Sequence, residues 1–157
     1  MTKKWTDRAD AQKTKKPKLL LVDDMGIMLP QLAERLEAQG FYVVKMHIGN
    51  DAPIDDSTIV QGSFDEAVEY AVAPTNRIDA VVTDLNNRDY PYGRYLVADL
   101  VKHGFNGPIA VHSGEVDSTM DKIVKEKGAV GLFDKREPEA IANAINTALA
   151  ERGQAKG

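Results

Sequence analysis

The sequence contains no cysteine. That excludes a disulfide framework, a thiolate metal site and a cysteine nucleophile, and it is compatible with a reducing compartment. Nor does any apolar run approach the roughly 20 residues that a membrane-spanning helix needs. Met1–Lys18 carries charge but no apolar stretch of the kind a secretory leader requires. There is no internal repeat and no low-complexity tract. Aromatic residues are scarce at 6%, and the single Trp, Trp5, lies in the N-terminal segment. These absences lead us to expect a soluble, cytoplasmic protein. What is present suits one domain: 157 residues, 43% hydrophobic and 28% charged, enough to fill one core and cover it.

The formal net charge of −4 is unevenly spread: Met1–Lys18 holds seven Lys and Arg against Asp7 and Asp10, a balance of +5, so the remainder carries −9. We read residues 1–17 as a basic, solvated tail ending at Pro17. A basic arm of this kind also attracts nucleic acid or anionic lipid. Residues 18–150 are read as the folded domain and 151–157 as a C-terminal tail.

From Lys18 onward, short apolar runs alternate with helical patterns. Leu19–Val22 is a continuous apolar run, as a strand buried on both faces requires. Ile27–Gln39 follows with helical spacing, Pro30 in its first turns and Gly40 as its stop. Phe41–Ile48 reads as a second strand, and 49–62 as a long polar loop. Ser63 and Glu66 have the spacing of a capping box, and Phe64, Ala67, Val68 and Ala71 fall on one helical face. Ile78–Thr83, Pro108–His112 and Ala129–Phe133 are the remaining strands. Tyr92–His103, Ser118–Lys127 and a last helix starting near Pro138 separate and follow them. Strands separated by helices pair in parallel. Right-handed crossovers then give a doubly wound, flavodoxin-like α/β fold, a five-stranded parallel sheet in the order 2-1-3-4-5.

In such sheets the ligand site lies beyond the carboxyl ends of the strands. Strand 1 ends in Asp23-Asp24, strand 3 in Asp84, strand 4 in Ser113-Gly114 and strand 5 in Asp134-Lys135. With strands 1 and 3 adjacent, Asp23, Asp24 and Asp84 converge. Their mutual repulsion would raise their pKa values, and a hard divalent cation such as Mg2+ relieves it while accepting phosphate oxygens. Asp84 supplies a nucleophilic oxygen, Lys135 a second positive charge and Ser113 a hydroxyl, an arrangement suited to phosphoryl transfer. Singly, each has a plainer explanation: an Asp pair as a helix cap, Asp84 as a turn residue, Ser-Gly as a loop and Lys135 as a solvated charge. Together, four suitable residue types fall at successive sites along one sheet edge.

With these residues in view, 18–149 resembles the receiver domain of bacterial two-component response regulators, of the stand-alone, chemotaxis-type kind. The motifs are Leu19–Asp24, Ala80–Leu85, Ile109–Gly114 and Ala129–Lys135. The resemblance implies that Asp84 is the phospho-acceptor, that Asp23 and Asp24 help hold Mg2+, and that Asn86 offers its backbone carbonyl to the metal. It makes Ser113 the switch hydroxyl and Lys135 the phosphoryl contact. It implies a sensor histidine kinase or phosphotransfer protein as donor, a downstream protein as target, and leaves room for a weak homodimer. Asn86 and Glu115 lie where receivers tune the phosphoryl lifetime.

Three departures stand out. Leu132 occupies the place of the usual switch aromatic, while Phe133 points to the opposite side of the strand. Arg136 replaces the usual Pro after the Lys. The 49–62 loop is longer than receivers carry, either as a surface insertion or as an acidic rim to the site. A haloacid-dehalogenase-type phosphohydrolase would want Asp at position 86, where this chain has Asn. Lys45–Asn50 fails a cobalamin motif, and Asp23-Asp24 would repel the phosphate of FMN. The expected function is therefore that of a phospho-accepting signalling domain rather than an enzyme. A receiver that binds partners without phosphorylation is the alternative, and a Mg2+-dependent phosphohydrolase a lesser one. Only Glu151–Gly157 follows the last helix, so output is expected through protein contacts, about Val116–Ala150, with no DNA-binding domain.

Overall fold

In the computed structural model, residues 16–23, 29–48, 58–85 and 92–156 are described. The elements run β1 (Lys18–Asp23), α1 (Leu29–Glu37), β2 (Tyr42–Ile48), β3 (Ile59–Gly62), α2 (Phe64–Val72), a 3-10 turn (Pro74–Asn76), β4 (Ala80–Asp84), α3 (Tyr92–Lys102), β5 (Ile109–Ser113), α4 (Ser118–Lys127), β6 (Gly131–Asp134) and α5 (Pro138–Lys156).

All strands pair in parallel, in the order β3-β2-β1-β4-β5-β6. The expected five-stranded order survives inside this sheet, but the sheet has six strands. Part of the stretch expected to be a polar loop, Ile59–Gly62, pairs with Lys45–Ile48 and extends the β2 edge. An edge strand needs only partial burial, and this one offers only Ile59 and Val60 as β-branched residues. Val60 remains 37% exposed. Four residues beside a run of polar ones give too short an alternation to stand out. The rest of that loop, 49–57, lies outside the described residues. At the other end, α5 runs on to Lys156 through residues expected to form a tail.

The central strands β1, β4 and β5 are buried at nearly every position, as a parallel sheet covered on both faces demands. Alternation divides their side chains between two cores. Leu20, Val22, Val81, Val111 and Leu132 pack with α2, α3 and α4 through Val68, Leu96, Leu100 and Val124. Leu19, Leu21, Val82 and Ala110 pack with α1 and α5 through Leu32, Leu36, Ile141 and Ile145. Full burial of each such aliphatic side chain contributes about 1.5–3 kcal/mol. The capping box forms as expected: the Ser63 hydroxyl accepts from Glu66 N, and Ser63 N donates to the Glu66 carboxylate. Gly40, at φ 101°, follows the end of α1 in a conformation that favours glycine.

Candidate functional site

The strands that carry the expected site residues, β1, β4, β5 and β6, are neighbours, and they deliver their carboxyl ends to one edge. Asp23 follows Leu19 and Leu21 on the α1/α5 face of β1, and Asp84 follows Val82 on the same face of β4. The couple Val22–Thr83 is directly paired in the ladder, which sets Asp23 and Asp84 side by side one residue later. Asp23 is wholly buried and Asp84 nearly so. The backbone around Asp84 is pinned on both sides: Leu85 N donates to His112 O at 2.9 Å, and Gly93 N donates to Leu85 O at 2.8 Å. Position 93 accepts no side chain. A Cβ there would stand 2.7 Å from Leu85 Cα and closer still to the Asp84 carbonyl oxygen.

Lys135 offsets part of this charge. From the turn after β6 its ammonium reaches across β5 and sits 3.4 Å from Asp23 Oδ2 and 3.4 Å from Asp84 Oδ2. Burial works against this charge, yet the two carboxylates outweigh it and hold the Lys135 pKa above its ordinary value. The turn is built to hold the lysine. Lys135 N donates to Ser113 O at 2.9 Å, anchoring it to β5. Arg136, in place of the usual proline, closes on Asp134 through its backbone N (2.8 Å), Nε (3.0 Å) and Nη2 (2.8 Å). These bonds pull the Asp134 pKa down to about 2. Arg136 thus clasps the turn with its side chain, where proline would stiffen it by its ring.

Ser113 ends β5 on the opposite face from Asp84, in line with Val111, and its hydroxyl accepts from Glu115 N at 3.3 Å. Leu132 lies on that same face and is almost fully buried, whereas Phe133 packs against the α1/α5 core. The expected opposition of these two side chains is therefore present. Asp24 and Asn86 lie outside the described residues. Of the expected residues, the structure brings Asp23, Asp84 and Lys135 into mutual contact and sets Ser113 one strand away.

One group escaped the sequence reading. His112, paired directly with Asp84 in the ladder, is fully buried, with Nε2 3.6 Å from Asp23 Oδ2 and Nδ1 4.0 Å from Asp84 Oδ1. Burial, reinforced by the Lys135 charge, pushes its pKa down to about 3, so the ring is neutral at physiological pH. Its contacts with the carboxylates are those of a neutral imidazole rather than an ion pair. On the far side of Asp23, the ladder partner is a second buried imidazole, His47, whose Nδ1 lies 2.8 Å from Gln61 Oε1. The strand ends therefore carry a row His47, Asp23, Asp84, His112 on one face. The signal was in the strand alternation: Ala110 and His112 share a face, and parallel pairing sets position 112 level with the acceptor strand's last residue.

No family model matches the chain, and no curated protein does. Solved structures do. A response regulator receiver domain from Clostridium thermocellum superposes with a TM-score of 0.66 at 20% identity, over 88% of this chain and 98% of that one. The FixJ-N structure gives 0.62 at 27% identity, over 85% and 93%. A response regulator from Burkholderia pseudomallei, crystallised with a phosphorylated aspartic acid, calcium ion and citrate, gives 0.61 at 21%, over 90% and 74%. The chain has the fold of response regulator receiver domains over most of its length.

Proposed function

We propose that this receiver-fold chain is a phosphorylation switch in which the Asp84 carboxylate accepts a phosphoryl group. The observation that carries this reading is the Lys135 ammonium, held 3.4 Å from both Asp23 and Asp84 on the buried ends of adjacent strands. A lone buried carboxylate pair is costly. Two carboxylates sharing one lysine have part of their charge offset and are held close, ready for an incoming electrophilic phosphorus. An Asp84 oxygen forms the new O–P bond as the donor's P–N or P–O bond breaks. Lys135 then shifts from the carboxylate towards the charge that arrives on the phosphoryl oxygens. Ser113, at the neighbouring strand end, offers a hydroxyl that exchanges the Glu115 N–H for the product.

The carboxylate oxygens of Asp23 and Asp84 fit a hard divalent ion, and Asp24 with the Asn86 carbonyl are the further ligands expected. Mg2+ bound there would neutralise charge on the transferring phosphoryl group. The donor in this reading is a phosphohistidine on a sensor kinase or phosphotransfer protein. The output surface is the α4–β6–α5 side, next to the exposed Val116. Among the described residues, no helix is long and apolar enough to cross a membrane.

A second reading, a receiver that binds its partner without phosphorylation, is favoured by Leu132, which fills the core where a mobile aromatic is usual. One experiment decides between them. The full chain is treated with acetyl phosphate and with beryllofluoride in Mg2+, and followed by intact mass and by ¹⁹F NMR. Wild type should gain one adduct and Asp84→Asn none. Wild-type protein unmodified by both reagents would remove the phospho-acceptor reading.

A further inference from the structure

We infer that His112 is a nitrogen ligand of the divalent cation at this site, which therefore selects first-row transition ions such as Mn2+, Co2+ or Zn2+ over Mg2+. The inference rests on the proposed metal-assisted acceptor site and specifies which ion it takes.

His112 is wholly enclosed, and among the described residues neither ring nitrogen has a hydrogen-bond partner. Buried polar atoms in folded proteins are nearly always paired, so an imidazole with both nitrogens unpaired requires a reason. An apolar side chain at position 112 would continue the core of Leu21, Val82 and Ala110 at no such cost. The ring is instead turned so that Nε2 faces Asp23 at 3.6 Å and Nδ1 faces Asp84 at 4.0 Å.

At 3.6 and 4.0 Å neither carboxylate is close enough to the ring for a direct hydrogen bond. A metal ion between a ring lone pair and a carboxylate oxygen accepts electron pairs from both. The spacing agrees. Two ligand atoms each about 2.1 Å from one ion lie roughly 3.0 Å apart when adjacent and about 4.2 Å when opposite. The distances of 3.6 and 4.0 Å fall between those limits. Among the described residues no three His, Asp or Glu side chains already surround one point. Each nitrogen of His112 faces its own carboxylate, so the nucleus of the site is one nitrogen and one carboxylate oxygen, completed by further oxygen ligands.

The chemical consequence is selectivity. A pocket of carboxylates, carbonyls and water suits Mg2+, whereas an imidazole shifts preference along the first-row series towards Co2+ and Zn2+. The second buried imidazole of the row, His47, has its Nδ1 against the Gln61 oxygen, the kind of contact that fixes a ring's orientation beside a metal centre.

The test is metal binding by the full chain, independent of phosphorylation. Dissociation constants for Mg2+, Mn2+, Co2+ and Zn2+ are measured by calorimetry for wild type, His112→Leu, His112→Asn and Asp84→Asn. Side-chain ¹⁵N shifts of the wild-type histidines are followed during Zn2+ titration. We expect a His112 nitrogen to move by tens of ppm, and the wild-type preference for Co2+ over Mg2+ to fall at least tenfold in His112→Leu. Asp84→Asn should weaken all four ions and so separates this site from adventitious binding elsewhere. An unmoved His112 resonance in wild type, which needs no variant to fold, would overturn the inference, as would equal selectivity in His112→Leu. If Mg2+ alone still supports the beryllofluoride adduct in that case, the acceptor reading stands without it. If instead metal binding shifts His112 while Asp84 stays unmodified, the ligand assignment stands and the acceptor reading falls.

Discussion

The two faces of the sheet reach its carboxyl edge with opposite chemistry. On the α1/α5 face the last level of side chains is His47, Asp23, Asp84 and His112, all buried, with Lys135 bridging the two carboxylates. On the α2/α3/α4 face the same level approaches through Val22, Val111 and Leu132, and carries the hydroxyls of Thr83 and Ser113. The same alternation that sorts apolar residues between two cores thus sorts chemistry from readout. One face stores desolvated charge and polarity that only mutual pairing makes tolerable. The other is close-packed hydrocarbon, which transmits a displacement only by moving as a body. An aromatic with a polar tip at position 132 would give that face a handle reaching towards solvent. Leu132 gives it none.

If this division is real, acid should damage the polar face through His112. Its folded pKa of about 3 lies below the ordinary 6.5. Well above pH 6.5 the ring is neutral in both states and contributes no slope. As pH falls from 6.5 towards 3 the unfolded ring takes a proton that the folded one refuses. Stability is then lost at about 1.4 kcal/mol per pH unit. Urea unfolding in EDTA at pH 6.5 and pH 4.5 should therefore show a loss of about 2 kcal/mol from this group. His112→Leu should remove that part of the slope while leaving the part due to carboxylates elsewhere. An identical slope in the variant would mean that the ring is not held neutral in the fold.

A smaller effect tests how tightly the two faces are joined. Helix α3 belongs to the apolar face, through Leu96, Val97 and Leu100, yet Gly93 in its first turn touches the backbone of Asp84 and Leu85. Gly93→Ala forces the helix away from the strand end. Overpacking of this kind costs about 1–3 kcal/mol. Beryllofluoride affinity should fall along with stability, because the displaced group is the Asp84 main chain. Destabilisation with unchanged affinity would show that the helix start moves without disturbing the acceptor.

The acidic edge was legible in the sequence because its residues follow recognisable strand patterns: Asp23 after Leu19–Val22, Asp84 after Ile78–Thr83, and Asp134-Lys135 after Ala129–Phe133. The strand order then decided which of them meet. His112 was hidden because a histidine inside an apolar run reads as an interruption of the core, and only the register with Asp84 reveals what it faces. Strand β3 was hidden because an edge strand is recognised by its partner, and Lys45–Ile48 is a partner fixed by tertiary structure rather than by local pattern. The Arg136 clasp belongs to the same class. Its place after the lysine was visible, but its bonds to Asp134 depend on a turn geometry that spacing does not specify.

The smallest predicted effect lies on the apolar face, at its outer edge. Among the described residues β6 ends the sheet, so its outward N–H groups have no strand to receive them. The Leu132 N–H is taken by the Asp121 side chain of α4, whose Oδ1 accepts at 2.8 Å, and that bond chiefly lowers the Asp121 pKa. The other oxygen pairs with Lys125 at 2.9 Å on the helix surface, where such pairs contribute little. Asp121→Ala should therefore cost about 1 kcal/mol, and Asp121→Asn less, since an amide oxygen still accepts. Hydrogen exchange localises the effect: the Leu132 amide should exchange faster in Asp121→Ala while those of β4 keep their protection. This bond ties α4 to position 132 on a face held largely by hydrocarbon. Unchanged Leu132 protection in the alanine variant would mean that packing by Val111 and Val124 alone fixes the readout edge.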